Sequence, residues 1–426
     1  MGKLAIFGGD PVLREGAGCF RWPRVTSDMQ AAVIRQLHES MSIYDRSGVF
    51  AEFEDAFRAY HQRRHALLFN SGTSAIMAMF EGAKLVPGDE VICPVYTFHA
   101  SVSPLAYLGS YPVFGDVDEE GNLSLGEVQQ LYTQRTRAVV VTHMWGVPVT
   151  DIVEMSQFCA ERNVILVEDC SHAHGARIRG RLVGTFGDAA AWSLQGQKIV
   201  TGGEGGVMVT DNDELFERAL LLGHYNKRPQ LEIAPDSPNR RFYLTGMGLK
   251  LRAHPLAVAI ALQQFRLLPE FLVNKRRHAQ ILIDATKDIP FLTPILPKDF
   301  AEPSWYALNF RFNAELAVGV TREQFVQALE AEGLVEVDIP GSTGLLHDQP
   351  LFLEPESLLP RWASTRPSDG TSQPSGSVTD FPKAHDLYTS LIKLPVWAYE
   401  DELSTVDGYA EGLNKVANHM AKYGQL

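Results

Sequence analysis

The sequence predicts an α/β protein with a large domain built on a mostly parallel sheet and a smaller C-terminal α+β domain. Its 426 residues exceed what one compact core usually holds. A hydrophobic content of 45% with 21% charged residues is ordinary for globular proteins. Between residues 65 and 210, short apolar runs alternate with longer helical patterns, which is typical of a parallel sheet covered on both faces.

The predicted strands of the large domain are short apolar runs that end in polar or glycine residues. They are residues 90–93, 112–114, 138–142, 164–167, 189–192 and 206–210. Helices are predicted between them over residues 74–85 and 151–162. In the second helix, Ile152, Met155 and Cys159 recur at intervals of three and four residues, so they form one apolar face.

The C-terminal third begins with a long apolar helical pattern over residues 257–273, interrupted by Pro269. We therefore place the large domain, with an N-terminal arm, at residues 1–274 and the small domain at residues 275–426. The small domain is predicted to contain a strand at 307–312, a helix at 322–332 and a closing helix at 401–422. Residues 364–380 carry no large apolar side chain except Val378, which indicates a surface loop, with a lid over the active site as the alternative.

Charge and cysteine content limit the partners and the compartment. Lys and Arg number 38 against 51 Asp and Glu, and the resulting net charge of −13 would repel a phosphate backbone, so no nucleic-acid partner is predicted. The cysteines are scattered without a C-x-x-C pair, which suits a reducing cytoplasm better than a disulfide framework or a zinc site. The first apolar run is too short for a signal peptide, and no uninterrupted apolar run of 18 residues follows, so no membrane partner is predicted.

The first candidate for chemistry is the segment of residues 70–74, which precedes a predicted helix. In it Gly72 allows close approach of a ligand, Thr73 and Ser74 offer hydroxyl groups, and the helix start offers free N–H groups. This combination is typical of a phosphate cradle. An ordinary Ser/Thr helix cap with a glycine turn is an equally good interpretation of this segment alone.

The second candidate is Asp169, which follows an apolar strand. A carboxylate at the mouth of a buried strand needs a cation or hydrogen-bond donors, and a protonated pyridine nitrogen would serve. A capping aspartate is the alternative. A metal site formed by Asp169, His172 and His174 is disfavoured because three ligands in one tight turn lack a distant fourth, so no metal is predicted.

The third candidate is the pair Ser193 and Lys198, followed by a glycine-rich turn over residues 202–206. A lysine delivered from a strand end into a cleft loses solvation, and its lowered pKa makes the amine nucleophilic enough for a Schiff base. A solvated surface charge is the alternative. The order of a phosphate cradle, a carboxylate and a lysine matches the needs of pyridoxal 5′-phosphate, which has a phosphate, a ring nitrogen and an aldehyde.

These motifs resemble those of the DegT/DnrJ/EryC1/StrS aminotransferases, which have the aspartate aminotransferase fold. The likeness runs along nearly the whole chain. Its motifs are LAIFGGDPV at 4–12, NSGTSA at 70–75, PGDEV at 87–91, Glu-Asp at 168–169, Ser193-x4-Lys198 and Gly-Glu-Gly-Gly at 203–206. The Ser193-x4-Lys198 motif with the glycines after it is the most specific of them.

The resemblance implies a role for each matching residue. Lys198 would form the Schiff base with pyridoxal phosphate, and Asp169 would pair with its ring nitrogen. Gly72, Thr73, Ser74 and Ser193 would hold the phosphate. Phe98 stands where the family has an aromatic side chain stacked on the cofactor ring, although packing in the core is the alternative. Lys198 also argues against the dehydratase branch of the family, which has histidine at that position.

Two residues depart from the family pattern. His172 replaces a glutamine, and a histidine there can titrate near neutrality and alter the hydrogen bonds around the cofactor. Lys250 replaces an asparagine that reaches the partner subunit's phosphate, and a lysine there would either bind phosphate as a point charge or point into solvent. The resemblance thus implies a homodimer with shared active sites.

The resemblance implies a reaction that transfers an amino group from Glu or Gln to a keto sugar, commonly nucleotide-linked, or to a cyclic polyol ketone. Such a reaction would belong to amino sugar or natural-product biosynthesis. Two other functions stay open: a different reaction of the same cofactor, such as elimination or aromatisation, and a non-catalytic regulatory role. Several side chains are candidates for the substrate pocket, although each taken alone is more often structural. They are His143, Tyr44, Arg46, Trp305, Tyr306 and His347.

Overall fold

A seven-stranded sheet lies at the centre of the computed structural model, which describes residues 3–317, 319–365 and 380–423. Its strands follow the order β1-β9-β8-β5-β4-β2-β3. The strands of the large unit are β1 His65–Phe69, β2 Glu90–Pro94, β3 Tyr111–Gly115, β4 Thr136–Thr142, β5 Ile165–Asp169, β6 Arg177–Ile178, β7 Arg181–Leu182, β8 Ala189–Ser193 and β9 Gly206–Thr210. The small strands β6 and β7 form a separate sheet with β11 (Ala301–Glu302).

The central sheet is parallel except for β9, which runs antiparallel to its neighbours β1 and β8. No helix lies between β8 and β9 in residues 194–205, and a parallel return would need a crossover connection. The predicted α/β class and all six predicted strands are confirmed. The strand β1 is not among the predicted ones, although its residues Ala66, Leu67, Leu68 and Phe69 form a short apolar run of the same kind.

Helices cover both faces of this sheet. The helices of the chain are α1 Ser27–Glu39, α2 Gly48–His61, α3 Gly72–Gly82, α4 Leu105–Leu108, α5 Leu125–Leu131, α6 Ile152–Glu161, α7 Asp213–Gly223, α8 Lys227–Glu232, α9 Pro255–Thr286, α10 Arg322–Ala331, α11 Pro350–Leu353, α12 Pro355–Leu358, α13 Pro360–Ala363, α14 Pro382–Ser390 and α15 Leu403–Tyr423. Alternate strand residues face opposite layers. Leu67 of β1 packs with α3 and α7, whereas Leu68 packs with α2 and α9.

The parallel register brings the carboxyl ends of β4, β5 and β8 to one edge of the sheet. Thr142 pairs with Asp169, and Asp169 pairs with Ala191, two residues before Ser193. Open parallel sheets bind ligands at this edge, where the loops after the strands can vary without disturbing the core.

A second hydrophobic core forms the C-terminal unit. It lies between a three-stranded antiparallel sheet and the helices α10 and α15. The strands of this sheet are β10 Leu292–Pro294, β12 Ala307–Phe312 and β13 Leu391–Pro395. The N-terminal segment packs on the same core through Leu4, and the backbone N–H of Ala5 donates to Glu332 at 2.8 Å.

The long helix α9 connects the two cores. It continues through Pro269, so the predicted interruption at this residue is wrong. A proline inside a helix costs about 3 kcal/mol, and the burial of Leu268 and Phe271 on either side offsets that cost. The helix leaves one core after Leu272 and enters the other at Ala279. The boundary after residue 274 lies between these contacts and stays a prediction.

By length and hydropathy, α9 is the one helix in the described residues that could cross a membrane. Half of its most apolar window is buried inside the protein, however. Buried residues continue along its whole length, from Val258 to Thr286. These contacts are those of a core helix that joins two units. The predicted loop over 364–380 lies outside the described residues except at 364, 365 and 380.

Candidate active site

A cavity of about 380 Å³ lies at the carboxyl edge of the central sheet. The ends of β4, β5 and β8 contribute Thr142, Asp169 and Ser193, and Lys198 follows in the next loop. Residues of the C-terminal unit close its other side. The remaining lining residues are Ser71, Gly72, Thr73, Ile76, Phe98, Ala100, Trp145, Ser171, His172, Gln195, Gln197, Glu204, Tyr306, Ser342, Thr343 and Lys393.

The predicted phosphate cradle is the start of α3. The Ser71 side chain accepts a hydrogen bond from the backbone N–H of Ser74 at 3.1 Å, so the helix cap given as the alternative is present. Gly72 and Thr73 line the cavity together with Ser193. The hydroxyl of Ser74 donates to Asn70 at 2.7 Å, and Ser74 is outside the cavity lining. Its contact with a phosphate therefore stays a prediction.

Close backbone packing explains the glycines of this cradle. A Cβ on Gly72 would lie 2.8 Å from the Cβ of Ser193, and a Cβ on Gly206 would lie 2.2 Å from the carbonyl oxygen of Ser71. Real Cβ atoms do not approach that closely. The first turn of α3 therefore sits directly against the end of β8, which brings the hydroxyl of Ser193 next to the free N–H groups of the helix start.

Asp169 is 4% exposed and has a hydrogen bond to each carboxylate oxygen. The Ser101 hydroxyl donates to Oδ2 at 2.6 Å, and the backbone N–H of Ser171 donates to Oδ1 at 2.9 Å. The second bond is the cap proposed as the alternative. Because Asp169 also lines the cavity, it combines the capping role with a carboxylate presented to a ligand.

Glu168, the neighbour of Asp169 on β5, faces the opposite side of the sheet. It accepts hydrogen bonds from the backbone N–H groups of Gly184, Phe186 and Gly187 and contacts His143 at 3.0 Å. Although burial raises its pKa, the bonds to His143 and the backbone leave it below the ordinary value. Its oxygens could reach a metal together with His143 and Cys170, but these hydrogen bonds already account for the carboxylate.

Two hydrogen bonds fix the backbone of Lys198. Its N–H donates to the carbonyl of Gln195 at 2.9 Å, and its own carbonyl accepts from the indole of Trp22 at 2.8 Å. The ammonium nitrogen lies 4.8 Å from the centre of the Tyr306 ring. Burial lowers the pKa of Lys198 to about 8, against the opposing charge of Asp169. Lys198 is partly buried and lines the cavity, so it is not a freely solvated surface lysine.

His172 lies in a stack of rings on the wall of the cavity. Its ring is 4.2 Å from that of Tyr306 with 4° between the planes, and 5.5 Å from that of Trp145. Nδ1 accepts the backbone N–H of Trp145 at 3.3 Å, which places the ring proton on Nε2. Burial, with the nearby charge of Lys198, lowers the pKa of His172 well below its ordinary value. The expectation that it titrates near neutrality is therefore wrong.

The two remaining predicted residues differ in position. Phe98 lines the cavity with 40% of its surface exposed, which excludes packing in the core. Lys250 is exposed and lies outside the lining of the cavity. Its predicted contact with the partner subunit's phosphate therefore stays a prediction.

Sequence reasoning missed most of the cavity wall formed by distant segments. Tyr306 is among the side chains predicted for the substrate pocket, whereas Trp145 and Lys393 are not. Trp145 has a positive φ of 57°, a conformation that no sequence pattern marks for tryptophan. Lys393 could have been found, because it is a charged residue inside the apolar strand β13.

This donor set fits the predicted cofactor. The hydroxyls of Thr73 and Ser193 and the start of α3 suit a phosphate, Asp169 suits a protonated ring nitrogen, and the amine of Lys198 suits an aldehyde. All of them line one cavity. The chemistry expected of the arrangement is covalent capture of a carbonyl compound followed by proton transfer.

The comparisons with known proteins agree with this chemistry. The model of the DegT/DnrJ/EryC1/StrS aminotransferase family matches residues 26–402. An L-glutamine:2-deoxy-scyllo-inosose aminotransferase from Streptomyces kanamyceticus is 31% identical over 299 residues, which are 68% of this chain and 69% of the relative. A GDP-perosamine synthase from Caulobacter vibrioides is 34% identical over 227 residues, 53% of this chain and 58% of the relative.

A solved structure shows the same fold. The X-ray structure of the aminotransferase from Psychrobacter cryohalolentis aligns with a TM-score of 0.80 at 23% identity, over 94% of this chain and 99% of that one. The predicted aspartate-aminotransferase-like fold is therefore confirmed.

Proposed function

Because the chain belongs to the DegT/DnrJ/EryC1/StrS aminotransferase family, we propose that it binds pyridoxal phosphate and transfers an amino group from glutamine or glutamate to the ketone of a sugar or a cyclic polyol. The observation that carries this proposal is the single cavity that joins Lys198, Asp169, Thr73 and Ser193. The enzyme is an aminotransferase by its family; the cofactor, the donor and the acceptor are the proposed parts.

Each residue has a defined task in this reaction. Pyridoxal phosphate, when bound, supplies an electron sink that lets the proton on the α-carbon of an amino acid leave. Asp169 holds a proton on the ring nitrogen, and its two hydrogen bonds fix the carboxylate in place. Lys198 would hold the aldehyde until the amino group of the donor displaces it, and its freed amine, with a pKa lowered to about 8 by burial, would carry the α-proton of the donor to C4′ of the cofactor.

The relatives support the choice of acceptor. The Streptomyces kanamyceticus relative is named for glutamine and a deoxy-scyllo-inosose, and the Caulobacter vibrioides relative is a GDP-perosamine synthase. A cyclic polyol ketone and a nucleotide-linked keto sugar are thus both reasonable acceptors. Because the relative that covers more of the chain is the inosose enzyme, we favour glutamine as the donor and an inosose as the acceptor.

A two-step assay tests the proposed function. Reconstituted enzyme is treated with glutamine or glutamate, and the change in absorbance of the bound cofactor is followed. The donor is then removed, and keto sugars and inososes are screened for one that restores the original spectrum and gains an amino group by mass spectrometry. An enzyme that binds pyridoxal phosphate but changes its spectrum with neither donor contradicts the proposal.

We also propose that the enzyme is a homodimer with shared active sites. Exposed apolar side chains include Tyr44, Leu244 and Leu249, which are 58%, 61% and 41% exposed. The segments that contain Tyr44 and Leu249 lie side by side. Arg252, three residues after Leu249, lies 5.6 Å from the ring of Tyr44 and donates a hydrogen bond to the carbonyl of Ile43. A second copy covering this apolar surface would bury Lys250 at the interface, where it can reach the other subunit's phosphate.

Subunit complementation gives a sharp prediction for this dimer. Lys198→Ala and Lys250→Ala are each expected to be inactive at limiting cofactor. When the two variants are co-expressed, half of the dimers are mixed, and one of the two sites in each mixed dimer combines an intact Lys198 with an intact Lys250 of the other chain. About a quarter of the wild-type activity should therefore return in the mixture. Lys227→Ala serves as the control, since Lys227 lies on the same surface near Tyr44 but outside the cavity. Mixed dimers no more active than the single variants would refute the shared site.

The cytoplasm is the proposed compartment. Among the described cysteines, Cys93, Cys159 and Cys170 are buried and unpaired. Burial raises the pKa of the thiol in all three, which keeps them protonated and unreactive. Free thiols of this kind are compatible with a reducing compartment.

A further inference from the structure

Lys393 belongs to the C-terminal unit but lines the active-site cavity. It lies in the strand β13, where its neighbours Leu391, Ile392 and Leu394 are buried in hydrophobic cores. Its backbone is fixed by two hydrogen bonds with Asp338, of 2.7 and 2.9 Å, and its ammonium nitrogen lies 2.7 Å from the Asp338 carboxylate. The charge is therefore set in position by the sheet rather than by a loop.

The ammonium group of Lys393 lies near the aromatic wall of the cavity. It lies 5.8 Å from the centre of the Trp145 ring, which stacks with His172. After burial and the charge of Lys198, the charge of Lys393 is among those that lower the pKa of His172. Lys393 and Lys198 thus act on the same side chain from the two structural units that enclose the cavity.

Among the described lining residues, the counter-ion of the amino donor's α-carboxylate has not yet been assigned. The cations are Lys198 and Lys393, and the carboxylates are Asp169 and Glu204. An amino donor brings an α-carboxylate, which needs a cation when it leaves water. Lys198 is committed to the aldehyde and to the proton, so it is not available as a fixed counter-ion.

We propose that Lys393 binds the α-carboxylate of the amino donor in the cavity that Ser342 and Thr343 also line. This inference rests on the proposed function. An ammonium has three N–H donors, so the bond to Asp338 leaves two for a ligand. Because Asp338 is half exposed, its negative charge is screened by solvent and opposes the donor's carboxylate only weakly.

Equilibrium binding of two unreactive probes tests this subsite. The first probe is 4-carbamoylbutanoate, which is glutamine without its α-amino group, and the second is pentanediamide, in which a neutral amide replaces the carboxylate. Dissociation constants are measured by isothermal titration calorimetry on the holoenzyme. We expect the wild type to bind the carboxylate at least about tenfold more tightly than the diamide, the range of a charge-assisted hydrogen bond.

Substitution of Lys393 should remove that preference. Lys393→Gln is expected to weaken binding of 4-carbamoylbutanoate by about 10- to 100-fold and to leave binding of pentanediamide unchanged. Lys393→Arg should restore the preference because it restores the charge. Lys298→Gln is the matched control, since Lys298 also pairs with a carboxylate at 2.7 Å but lies outside the cavity.

Two binding results would overturn the inference: equal binding of both probes by the wild type, or an unchanged preference in Lys393→Gln. If Lys393→Gln does not fold, the same preference for 4-carbamoylbutanoate over pentanediamide is measured in Lys393→Met and compared with that of the wild type.

The donor half-reaction separates this inference from the proposed function. A wild type that does not react with any donor contradicts the function, whereas a reacting wild type with donor saturation unchanged in Lys393→Gln contradicts the subsite alone.

Discussion

Lys198→Ala is expected to lower turnover by about 10⁴-fold or more, because the variant loses both the covalent attachment of the cofactor and the proton carrier. The amine is suited to both tasks. Burial lowers its pKa to about 8, so near pH 8 about half of the lysine is neutral, against roughly 0.3% for a lysine with an ordinary pKa. Cofactor capture by the apo-protein should therefore become faster as the pH rises to 8 and level off above it.

Borohydride reduction followed by peptide mass spectrometry provides the measurement. The reduced cofactor should be found on the peptide that contains Lys198. Lys275 is an internal control, because burial lowers its pKa to about 7 as well, although its ammonium donates to the carbonyl of Val396 outside the cavity. Label on Lys275, or activity retained in Lys198→Ala, would show that a low pKa was mistaken for a catalytic role.

Residues whose position at the cavity depends only on their own strand or loop could be predicted from the sequence. Asp169 and Lys198 follow strands whose apolar runs are visible, and the topology of a parallel sheet brings such strand ends together. Gly72 was predictable for a similar reason, since a glycine before a helix start signals close approach of a ligand. Local pattern was therefore enough to locate these three residues at the cavity.

The other contacts of the site depend on tertiary packing that no local pattern encodes. Lys393 reaches the cavity only because β13 pairs with β12 and the C-terminal unit closes over the sheet edge. Ser101 donates to Asp169 across 68 residues of sequence. His172 could be located but not assigned a protonation state, since its pKa depends on burial against Tyr306 and Trp145.

The helix α9 shows the same limit in the fold. A proline at position 269 predicts a break, because the local rule counts one lost hydrogen bond and one clash. In the structure, packing against two hydrophobic cores keeps the helix continuous. Tertiary contacts can outweigh a local preference of about 3 kcal/mol.

Asp169→Asn should lower turnover by about 10²- to 10³-fold while leaving the fold intact. The amide keeps the shape of the carboxylate but loses the negative charge that holds a proton on the cofactor's ring nitrogen. It also turns one acceptor into a donor, although both Ser101 and the backbone of Ser171 donate to this side chain. The measurement is the rate of the donor half-reaction at saturating cofactor, with the absorbance of the bound cofactor as a second readout.

Asp116→Asn is the matched control for this loss. Asp116 is also buried, at 7% exposure, and accepts the backbone N–H groups of Lys383 and Ala384, but it lies outside the cavity. Its variant should unfold at a lower temperature, because a buried hydrogen bond is lost, and retain normal turnover per folded molecule. If Asp169→Asn instead behaves like this control, with reduced stability and an unchanged half-reaction, then Asp169 is only the cap of its turn and the ring nitrogen has another partner.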